Sequence, residues 1–280
     1  MKLLVCSEAD DASVNIRDRI LEMKDFLHEG DFDGHPVLRF DDMVMVTIRD
    51  LHIFAEDIDL KISERLNIEP KVLIFLSRHR AASGIPTLTV HPIGNHGDAD
   101  FGGRERTLVP ASPHLMTSML RCLTKEAANL DYQVSFEVTH HGPHLSSPAI
   151  YIEIGSDESM WDDRNAAAAI ARTVLHAGVE RYPSVIGIGG GHYAPRFTEI
   201  ALTRQVSFGH MVPNYALKGS DSSSIKEIIL RALEKSEDTS MAYIHKKSMK
   251  RSEATSLKNM LSDIGVEVVE GKDLDPLESE

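Results

Sequence analysis

Short apolar runs rich in β-branched residues alternate with helix-like segments along the whole chain. The strand-like runs are residues 3–7, 43–48, 71–77, 87–91, 133–140, 149–155, 184–192, 206–212, 241–245 and 266–270. Helix-like patterns end near residue 23, start near 112 and 225, and cover 164–178, 197–204 and 253–264. This alternation predicts an α/β fold, a mixed, mainly parallel sheet with helices on both faces. We expect a single α/β domain over residues 1–280, with a C-terminal βα extension from about residue 220.

The formal net charge of −13 limits the partners of this 280-residue chain. It opposes bulk attraction to nucleic acid, so we do not expect DNA binding, although a local basic patch can still contact phosphate. Candidate patches are residues 77–80, 102–106 and 245–251. No apolar run approaches the roughly 18 residues of a membrane span. The two cysteines lie far apart, as expected of reduced core thiols. We therefore predict a cytoplasmic protein without a membrane segment.

Several segments share one design, an apolar strand-like run with histidine at or near its end and a glycine close by. The segments are TVHPIGNHGD, FEVTHHGPH, GIGGGHY and SFGHM. In α/β sheets, ligands sit beyond the carboxyl ends of the strands, so neighbouring strands would gather these histidines at one rim. The histidines are His91, His96, His140, His141, His144, His192 and His210, and the nearest carboxylates are Asp98, Glu137, Glu153 and Asp157.

Strand alternation restricts which of these side chains can meet. Glu137 and His141 fall on one face of a strand and His140 on the other. His140 and His141 therefore share a metal only if the strand has already ended at the pair. Histidine and carboxylate around an open position are typical of a catalytic zinc, which lowers the pKa of its bound water to about 7. Acid–base and structural roles stay open, because no segment has the helical spacing of a His-Glu-x-x-His site.

The segment GIGGGH, residues 187–192, combines a buried strand with a glycine loop. It fits the dinucleotide pattern G-x-G-x-x-A poorly, since Pro195 interrupts it and it lies late in the chain. The loop could bind phosphate or carboxylate, or it could be a tight turn that brings His192 to a cleft. The remaining histidines stand singly, and we interpret them as surface or capping residues: His28, His35, His52, His79, His114, His176 and His245.

Six blocks in order along the chain carry a family resemblance. They are HPIGNHG, FEVTHHGPH, IEIGS, VIGIGGGHYAPRFTE, FGHMVPNYAL and YIHKKSMK, preceded by an N-terminal KLLVCSEAD. Together they resemble the D-aminoacyl-tRNA deacylases of the archaeal and plant type, over almost the whole chain. The resemblance implies hydrolysis of the ester that joins a D-amino acid to the 3′ end of tRNA. It also implies zinc as cofactor and a core similar to that of peptidyl-tRNA hydrolases and nucleoside phosphorylases.

We assign the role of each candidate residue as a hypothesis. The predicted catalytic residues are His96, Glu137, His141 and His192. The predicted metal ligands are His140, His141, His144, Glu153 and His210. The predicted substrate contacts are Gly189, Gly190, Gly191, Lys246 and Lys247, with backbone N–H groups of the glycine loop stabilising the oxyanion. Two alternatives stay open: a nucleoside-directed phosphorylase or hydrolase on a similar fold, and a non-catalytic tRNA-binding module.

Overall fold

The computed structural model describes residues 1–82 and 84–278. Its strands are β1 (Lys2–Ser7), β2 (Leu27–Phe32), β3 (His35–Phe40), β4 (Met43–Ile48), β5 (Val72–Arg78), β6 (Thr87–Pro92), β7 (Gln133–Phe136), β8 (Ala149–Gly155), β9 (Ser184–Ile188), β10 (Ser207–Val212), β11 (Thr239–Ile244) and β12 (Glu267–Val269). Its helices are α1 (Asp11–Met23), α2 (Ile58–Leu66), α3 (Pro113–Glu126), α4 (Glu158–Trp161), α5 (Arg164–His176), α6 (Pro195–Thr203), α7 (Asn214–Leu217), α8 (Ser222–Glu234) and α9 (Arg251–Asp263). Within these ranges no helix combines the length and the apolar character needed to cross a bilayer.

The larger sheet has eight strands in the order β2-β3-β4-β1-β5-β8-β6-β7. Its central strands β4, β1, β5 and β8 are parallel, whereas β6 pairs with β8 in the antiparallel sense. The carboxyl ends of β6 and of its parallel neighbour β7 therefore point in the opposite direction to that of β5. Helices α1, α3 and α5 pack on one face of this sheet and α2 on the other. The predicted α/β class, with a mixed, mainly parallel sheet and helices on both faces, is confirmed.

A second sheet is fully parallel and has the order β10-β9-β11-β12. Helices α8 and α9 pack on one face of it, and α6 packs on the other. Helix α3 packs against β6 of the larger sheet and β10 of the smaller one. The C-terminal residues after about 220 thus form two strands of the second sheet and two helices that pack on it. The division of the chain into domains stays a prediction.

The segment that follows β7 lies between the two sheets. The N–H group of Val138 donates to the carbonyl of His192 at 3.0 Å, and that of Thr139 donates to the carbonyl of Met211 at 3.1 Å. These bonds fix the segment against the carboxyl ends of β9 and β10. The prediction that residues 133–140 form one strand is therefore wrong in its second half, because the chain leaves the sheet to make these contacts.

The hairpin of β2 and β3 is not among the predicted elements. Strand β2 has no apolar run, and Phe32 is its one buried residue. The available signal is the turn at Asp33 and Gly34, which both have positive φ, at 53° and 82°. An Asp-Gly pair in this conformation is a strong mark of a two-residue hairpin turn. The hairpin lies at the sheet edge, away from the histidine-bearing segments.

Candidate active site

Glu137 lies at the centre of a buried group of histidines, and its own side chain is fully buried. Its Oε1 lies 3.2 Å from Nδ1 of His79. Its Oε2 lies 3.1 Å from Nε2 of His192 and 3.4 Å from Nε2 of His140. These nitrogens approach out of line for hydrogen bonds, so neither oxygen has a hydrogen-bond partner in the part of the chain that the structure describes. A buried, unsatisfied carboxylate of this kind is expected where a further group binds.

Glu153 closes the other side of the group. Its Oε2 lies 3.5 Å from Nδ1 of His79 and 3.6 Å from Nε2 of His91. Burial alone would raise the pKa of each carboxyl group, but the nearby histidines hold the pKa of both Glu137 and Glu153 below the ordinary value. Both groups are therefore ionised. We call the whole set the histidine–carboxylate cluster: His79, His91, Glu137, His140, His141, Glu153 and His192.

The cluster lies on one face of the larger sheet, close to the carboxyl ends of β5 and β8. Glu153 on β8 is paired in register with Thr89 on β6. Because β6 runs antiparallel to β8, His91 near the end of β6 lies opposite Tyr151, further back along β8, and stacks on its ring. His192 reaches the same place from the carboxyl end of β9. The site therefore forms between the face of one sheet and the strand ends of the other.

His140 and His141 meet because the strand has ended before them. His141 adopts the left-handed region, with φ of 44°, which turns the chain between the two residues. The ring centroids of His140 and His141 lie 4.3 Å apart, and those of His140 and His91 lie 4.2 Å apart. Gly142 follows so close to Gly103 that a Cβ on it would lie 2.1 Å from a backbone nitrogen. The strand has thus ended at the pair, which is the condition under which His140 and His141 can share one metal ion.

Hydrogen bonds at Nδ1 fix the tautomers of three histidines. Nδ1 of His91, His140 and His141 lies 3.1, 2.8 and 2.8 Å, respectively, from a backbone carbonyl oxygen. Because a carbonyl only accepts, each Nδ1 carries the proton and donates it. The lone pair of each neutral ring then lies on Nε2. Hydrogen bonds from the second ring nitrogen to a carbonyl orient histidine ligands in this way in metal sites.

These three histidines fit a metal ion. One ring nitrogen from each of His91, His140 and His141 lies within 4.8 Å of the others. Nε2 of His91 is buried and has no hydrogen-bond partner among the described residues. Burial and the neighbouring His91 lower the pKa of His141 to about 4 and that of His140 well below its ordinary value, so both rings are neutral, as ligands must be. Despite burial, Glu153 raises the pKa of His91, which marks a place where positive charge is favoured.

The interpretation of His79 as a surface or capping residue is wrong. Its side chain is only 5% exposed, and its Nε2 lies 3.0 Å from the hydroxyl of Tyr193 while Nδ1 faces Glu137 and Glu153. Burial opposes charging of this ring, but the two carboxylates raise its pKa above the ordinary value. A signal for this residue is its place two residues after the apolar run 71–77, which resembles the other segments except that no glycine lies within four residues of the histidine.

His96 and His210, which we call the His96–His210 pair, lie outside the cluster. Nδ1 of His210 lies 3.0 Å from the hydroxyl of Thr139, and its Nε2 lies 2.9 Å from the carbonyl of Val109. Nε2 of His96 lies 3.3 Å from the carbonyl of Met211. Burial lowers the pKa of His210 to about 3 and that of His96 to about 4. Both rings are neutral and bonded to the backbone, so the grouping of either with the predicted site is corrected.

His144 also lies apart from the cluster. Its backbone N–H donates to the carboxylate of Glu56 at 3.1 Å, and it belongs to none of the groups of close ligand atoms formed by the described residues. Of the predicted metal ligands, the structure therefore brings together His140, His141 and Glu153, and it separates His144 and His210 from them. His91 takes their place. Two further histidines interpreted as surface or capping residues are buried: His52 and His114.

The comparisons with known proteins agree with the resemblance seen in the sequence. A family model described as D-aminoacyl-tRNA deacylase matches residues 66–269, a range that contains the whole cluster. The chain belongs to the D-aminoacyl-tRNA deacylase family. A relative from Pyrococcus furiosus, named D-aminoacyl-tRNA deacylase, is 34% identical over 275 residues, which cover 96% of this chain and 100% of the relative. One of the same name from Thermococcus kodakarensis is 35% identical and covers 96% of this chain and 99% of the relative.

A solved structure supports the fold of this deacylase-family protein along its full length. The crystal structure of a conserved protein of unknown function, AF0625, superposes with a TM-score of 0.88 at 33% identity. The similarity covers 98% of each chain. Both sheets therefore belong to the architecture that the two proteins share.

In this deacylase-family protein the glycine loop lies beside the cluster. The N–H of Gly189 donates to the carbonyl of Val212, and that of Gly190 donates to the hydroxyl of Ser248. The N–H of Gly191 makes no hydrogen bond within residues 1–82 and 84–278. Of the three predicted backbone donors, only this one is available to a substrate. Of the predicted lysine contacts, Lys246 forms an ion pair with Glu270, whereas Lys247 is exposed in a short 3₁₀ turn.

Two cavities adjoin the cluster of this deacylase-family protein. The smaller, of about 500 Å³, is lined by cluster members His79, His140, His141, Glu153 and His192, together with arginines 78 and 80. The larger, of about 940 Å³, is lined on the cluster side by Gly190, Gly191 and Tyr193. Gly191, which lines the larger cavity, and His192, which lines the smaller one, are neighbours in sequence.

Proposed function

We infer that the protein hydrolyses the ester bond of D-aminoacyl-tRNA and releases free tRNA and the D-amino acid. Membership of the D-aminoacyl-tRNA deacylase family supports this reaction. The structural observation that carries the inference is the buried histidine–carboxylate cluster opening on a cavity of about 500 Å³. An aminoacyl ester is already activated, so its hydrolysis needs only an oriented water molecule and stabilisation of the tetrahedral oxyanion.

We propose that the enzyme acts at the 3′ acceptor end of tRNA, where the amino acid is esterified to a ribose hydroxyl. Contact with this end alone limits the RNA surface that approaches a chain of net charge −13. DNA carries no such ester and is not part of the proposal. A cytoplasmic location follows from the substrate, since aminoacyl-tRNA is used there in protein synthesis.

We propose that His91, His140 and His141 bind zinc through Nε2. Their tautomers and their close nitrogens suit the ion, and Glu153, 3.6 Å from Nε2 of His91, balances its charge. Bound zinc supplies Lewis acidity, which lowers the pKa of water and polarises a carbonyl group. The part of the cluster left for proton transfer is then His79, Glu137 and His192.

His192 is the residue that we propose as general base. Its side chain is 39% exposed and reaches the cavity, while Glu137 behind it is fully buried. His192 takes a proton from water as the water oxygen attacks the ester carbon. When the bond from that carbon to the ribose oxygen breaks, His192 returns the proton to the ribose oxygen. Glu137 orients the ring and stabilises its protonated form, and His79, held by Tyr193, fixes Glu137 from the other side.

The N–H group of Gly191 is the donor that we propose for the oxyanion. It adjoins His192 in sequence and has no partner of its own among the described residues. Gly189 and Gly190 shape the loop that presents it, with φ of 109° and 89°. A Cβ on Gly189 would lie 2.7 Å from the hydroxyl oxygen of Ser248, so this position is closed to larger residues.

Deacylation of D-Tyr-tRNA and L-Tyr-tRNA by the purified protein, with and without a chelator, tests the proposal. We expect rapid loss of the D-ester alone, abolished by the chelator and restored by zinc. D-selective loss that ignores the chelator would contradict the zinc proposal and leave the reaction to the histidines and backbone. Phosphate-dependent turnover of free nucleosides, without hydrolysis of the D-ester, would contradict the function and favour the nucleoside-directed alternative.

A further inference from the structure

Arg78 is a cation without an anionic partner in the wall of the smaller cavity. It is the last residue of β5, directly before His79, and its guanidinium carbon lies 4.7 Å from the ring centroid of Trp161. No carboxylate oxygen lies within 4.0 Å of its guanidinium nitrogens in residues 1–82 and 84–278, and the guanidinium makes no hydrogen bond there. Its five N–H donors are therefore available to a ligand.

An acidic residue beside Arg78 already has other partners. Asp10 also lines the smaller cavity. Its Oδ1 accepts the N–H of Ser13, and its Oδ2 accepts the hydroxyl of Ser77 and the backbone N–H of Arg78. The carboxylate therefore binds the main chain of Arg78 and leaves the guanidinium unpaired.

Arg80 provides an internal comparison. Its guanidinium carbon also lies over the ring of Trp161, at 5.3 Å, but it forms an ion pair with Glu158 and is mostly exposed. The two arginines thus share one aromatic surface, and only one of them lacks a carboxylate. The free cation is the one that immediately precedes His79 of the cluster.

The negative net charge of the protein gives an unpaired arginine beside the cluster a clear use in binding RNA. With 43 acidic and 30 basic residues, the protein repels RNA at long range, so a phosphate must be met by particular cations close to the site. Arginine suits phosphate because its planar fork can make two parallel hydrogen bonds. Stacking on Trp161 holds the fork in place before a ligand arrives. An ester at the cluster and a phosphate at Arg78 would share one cavity.

We propose that Arg78 binds a backbone phosphate at the 3′ end of the tRNA substrate and so positions the ester at the histidine–carboxylate cluster. This inference rests on the proposed function and adds the group that recognises the RNA chain. It predicts that the enzyme binds a phosphate next to the terminal nucleoside through Arg78, whereas the cluster hydrolyses the ester.

Two substrates separate these roles. D-Tyr-tRNA carries the phosphate, and the 3′-ester of D-tyrosine with adenosine does not. We expect Arg78→Ala to lower kcat/KM for D-Tyr-tRNA by about tenfold to hundredfold, as for loss of a charged hydrogen bond, and to leave kcat/KM for the adenosine ester unchanged. Arg78→Lys should recover part of the loss because a point charge remains. Arg80→Ala should have a smaller effect, since its guanidinium is already paired.

Arg65→Ala is the matched control. Arg65 also lies over an aromatic ring, that of Phe32, but it lines a different cavity. We expect it to leave both substrates unaffected. Equal loss on both substrates in Arg78→Ala would mean that Arg78 only supports the fold of the site, and no loss on either would mean that it contacts nothing; each result overturns the inference. A wild-type enzyme inactive on both esters would instead contradict the proposed function.

Binding of uncharged tRNA gives a readout that does not depend on turnover. Loss of one phosphate contact should reduce the slope of log K against log salt by about 0.7, the value for a single-stranded end. An unchanged slope in Arg78→Ala overturns the proposal even if catalysis changes. Inorganic phosphate tests the other source of the same group. Thermal stabilisation by phosphate that needs Arg78, with tRNA binding intact in the variant, would assign the site to a free anion and overturn the proposal.

Discussion

The histidine–carboxylate cluster and the His96–His210 pair are both buried, but their nitrogens face different groups. In the cluster, Nε2 of His192 and Nδ1 of His79 face the ionised oxygens of Glu137, which have no hydrogen-bond partner among the described residues. In the pair, the ring nitrogens face backbone carbonyls and a hydroxyl. The same residue type therefore faces an unsatisfied carboxylate in one place and satisfies backbone carbonyls in the other. Unsatisfied partners distinguish the two better than burial does.

The pKa shifts separate the rings that face the carboxylates from the pair. Despite burial, Glu153 and Glu137 raise the pKa of His79, and Glu153 raises that of His91. In the pair, no carboxylate of the described residues offsets burial, and the pKa of His210 falls to about 3. The carboxylate-facing side of the cluster thus favours positive charge, whereas the pair excludes it. Mutations in the cluster and in the pair test this difference.

The largest expected effect is on zinc binding. His140→Ala removes one of three proposed ligands, and we expect zinc affinity to fall by more than about a hundredfold. Loss of a group that only hydrogen-bonds a ligand already lowers metal affinity by about ten- to a hundredfold. D-aminoacyl-tRNA deacylation should fall with it. His96→Gln keeps a side-chain N–H for the Met211 carbonyl and should bind zinc normally. Metal content after dialysis measures both, and equal zinc in the two variants would contradict the distinction between cluster and pair.

Loss of the central carboxylate should be the next largest effect. Glu137→Gln keeps the shape but cannot stabilise a protonated His192, so we expect kcat/KM on D-Tyr-tRNA to fall by about 10²–10⁴-fold. Glu126→Gln is the control, because Glu126 pairs with Arg172 outside the cluster. Steady-state deacylation rates measure the difference. Activity within a fewfold of wild type in Glu137→Gln would remove Glu137 from the mechanism.

The pair should matter for stability rather than for chemistry. His210→Ala leaves the Thr139 hydroxyl and the Val109 carbonyl without their ring partner and opens a small void in a fully buried place. We expect the free energy of unfolding to fall by about 2–4 kcal/mol. Urea unfolding measures it, with zinc content as the companion readout. Normal stability combined with lost zinc would place His210 among the ligands after all.

The sequence predicts the fold class because continuous apolar runs mark buried strands, and these runs match most of the strands observed. It does not predict that β6 runs antiparallel to β8, because strand direction depends on the path of the connections. That reversal moves His91 from the expected rim to the sheet face, beside Glu153. The expected meeting of strand ends thus holds for His79, Glu153 and His192 but not for His91.

The composition of the site shows the same limit. His140, His141 and Glu137 lie in one segment, so a local pattern finds them together. His79 directly follows another strand, β5, and only tertiary packing brings its Nδ1 to 3.2 Å from Glu137. His144 is close in sequence to His141 yet turns away to bond Glu56. Nearness in sequence does not tell which nitrogen faces which oxygen.

The smallest effect is a change in the pH dependence of stability. The pKa of His96 is about 4 in the folded protein and has an ordinary value of 6.5, so between these values the unfolded chain binds more protons. Stability therefore rises with pH across this window and is lost as pH falls, by about 1.4 kcal/mol per pH unit for one such group. His96→Gln does not titrate, so the slope of unfolding free energy between about pH 4.5 and 6 should decrease by that amount. The wild-type protein, measured alongside, gives the reference slope. Urea unfolding at several pH values measures both, and an unaltered slope in His96→Gln would mean that burial does not hold His96 neutral.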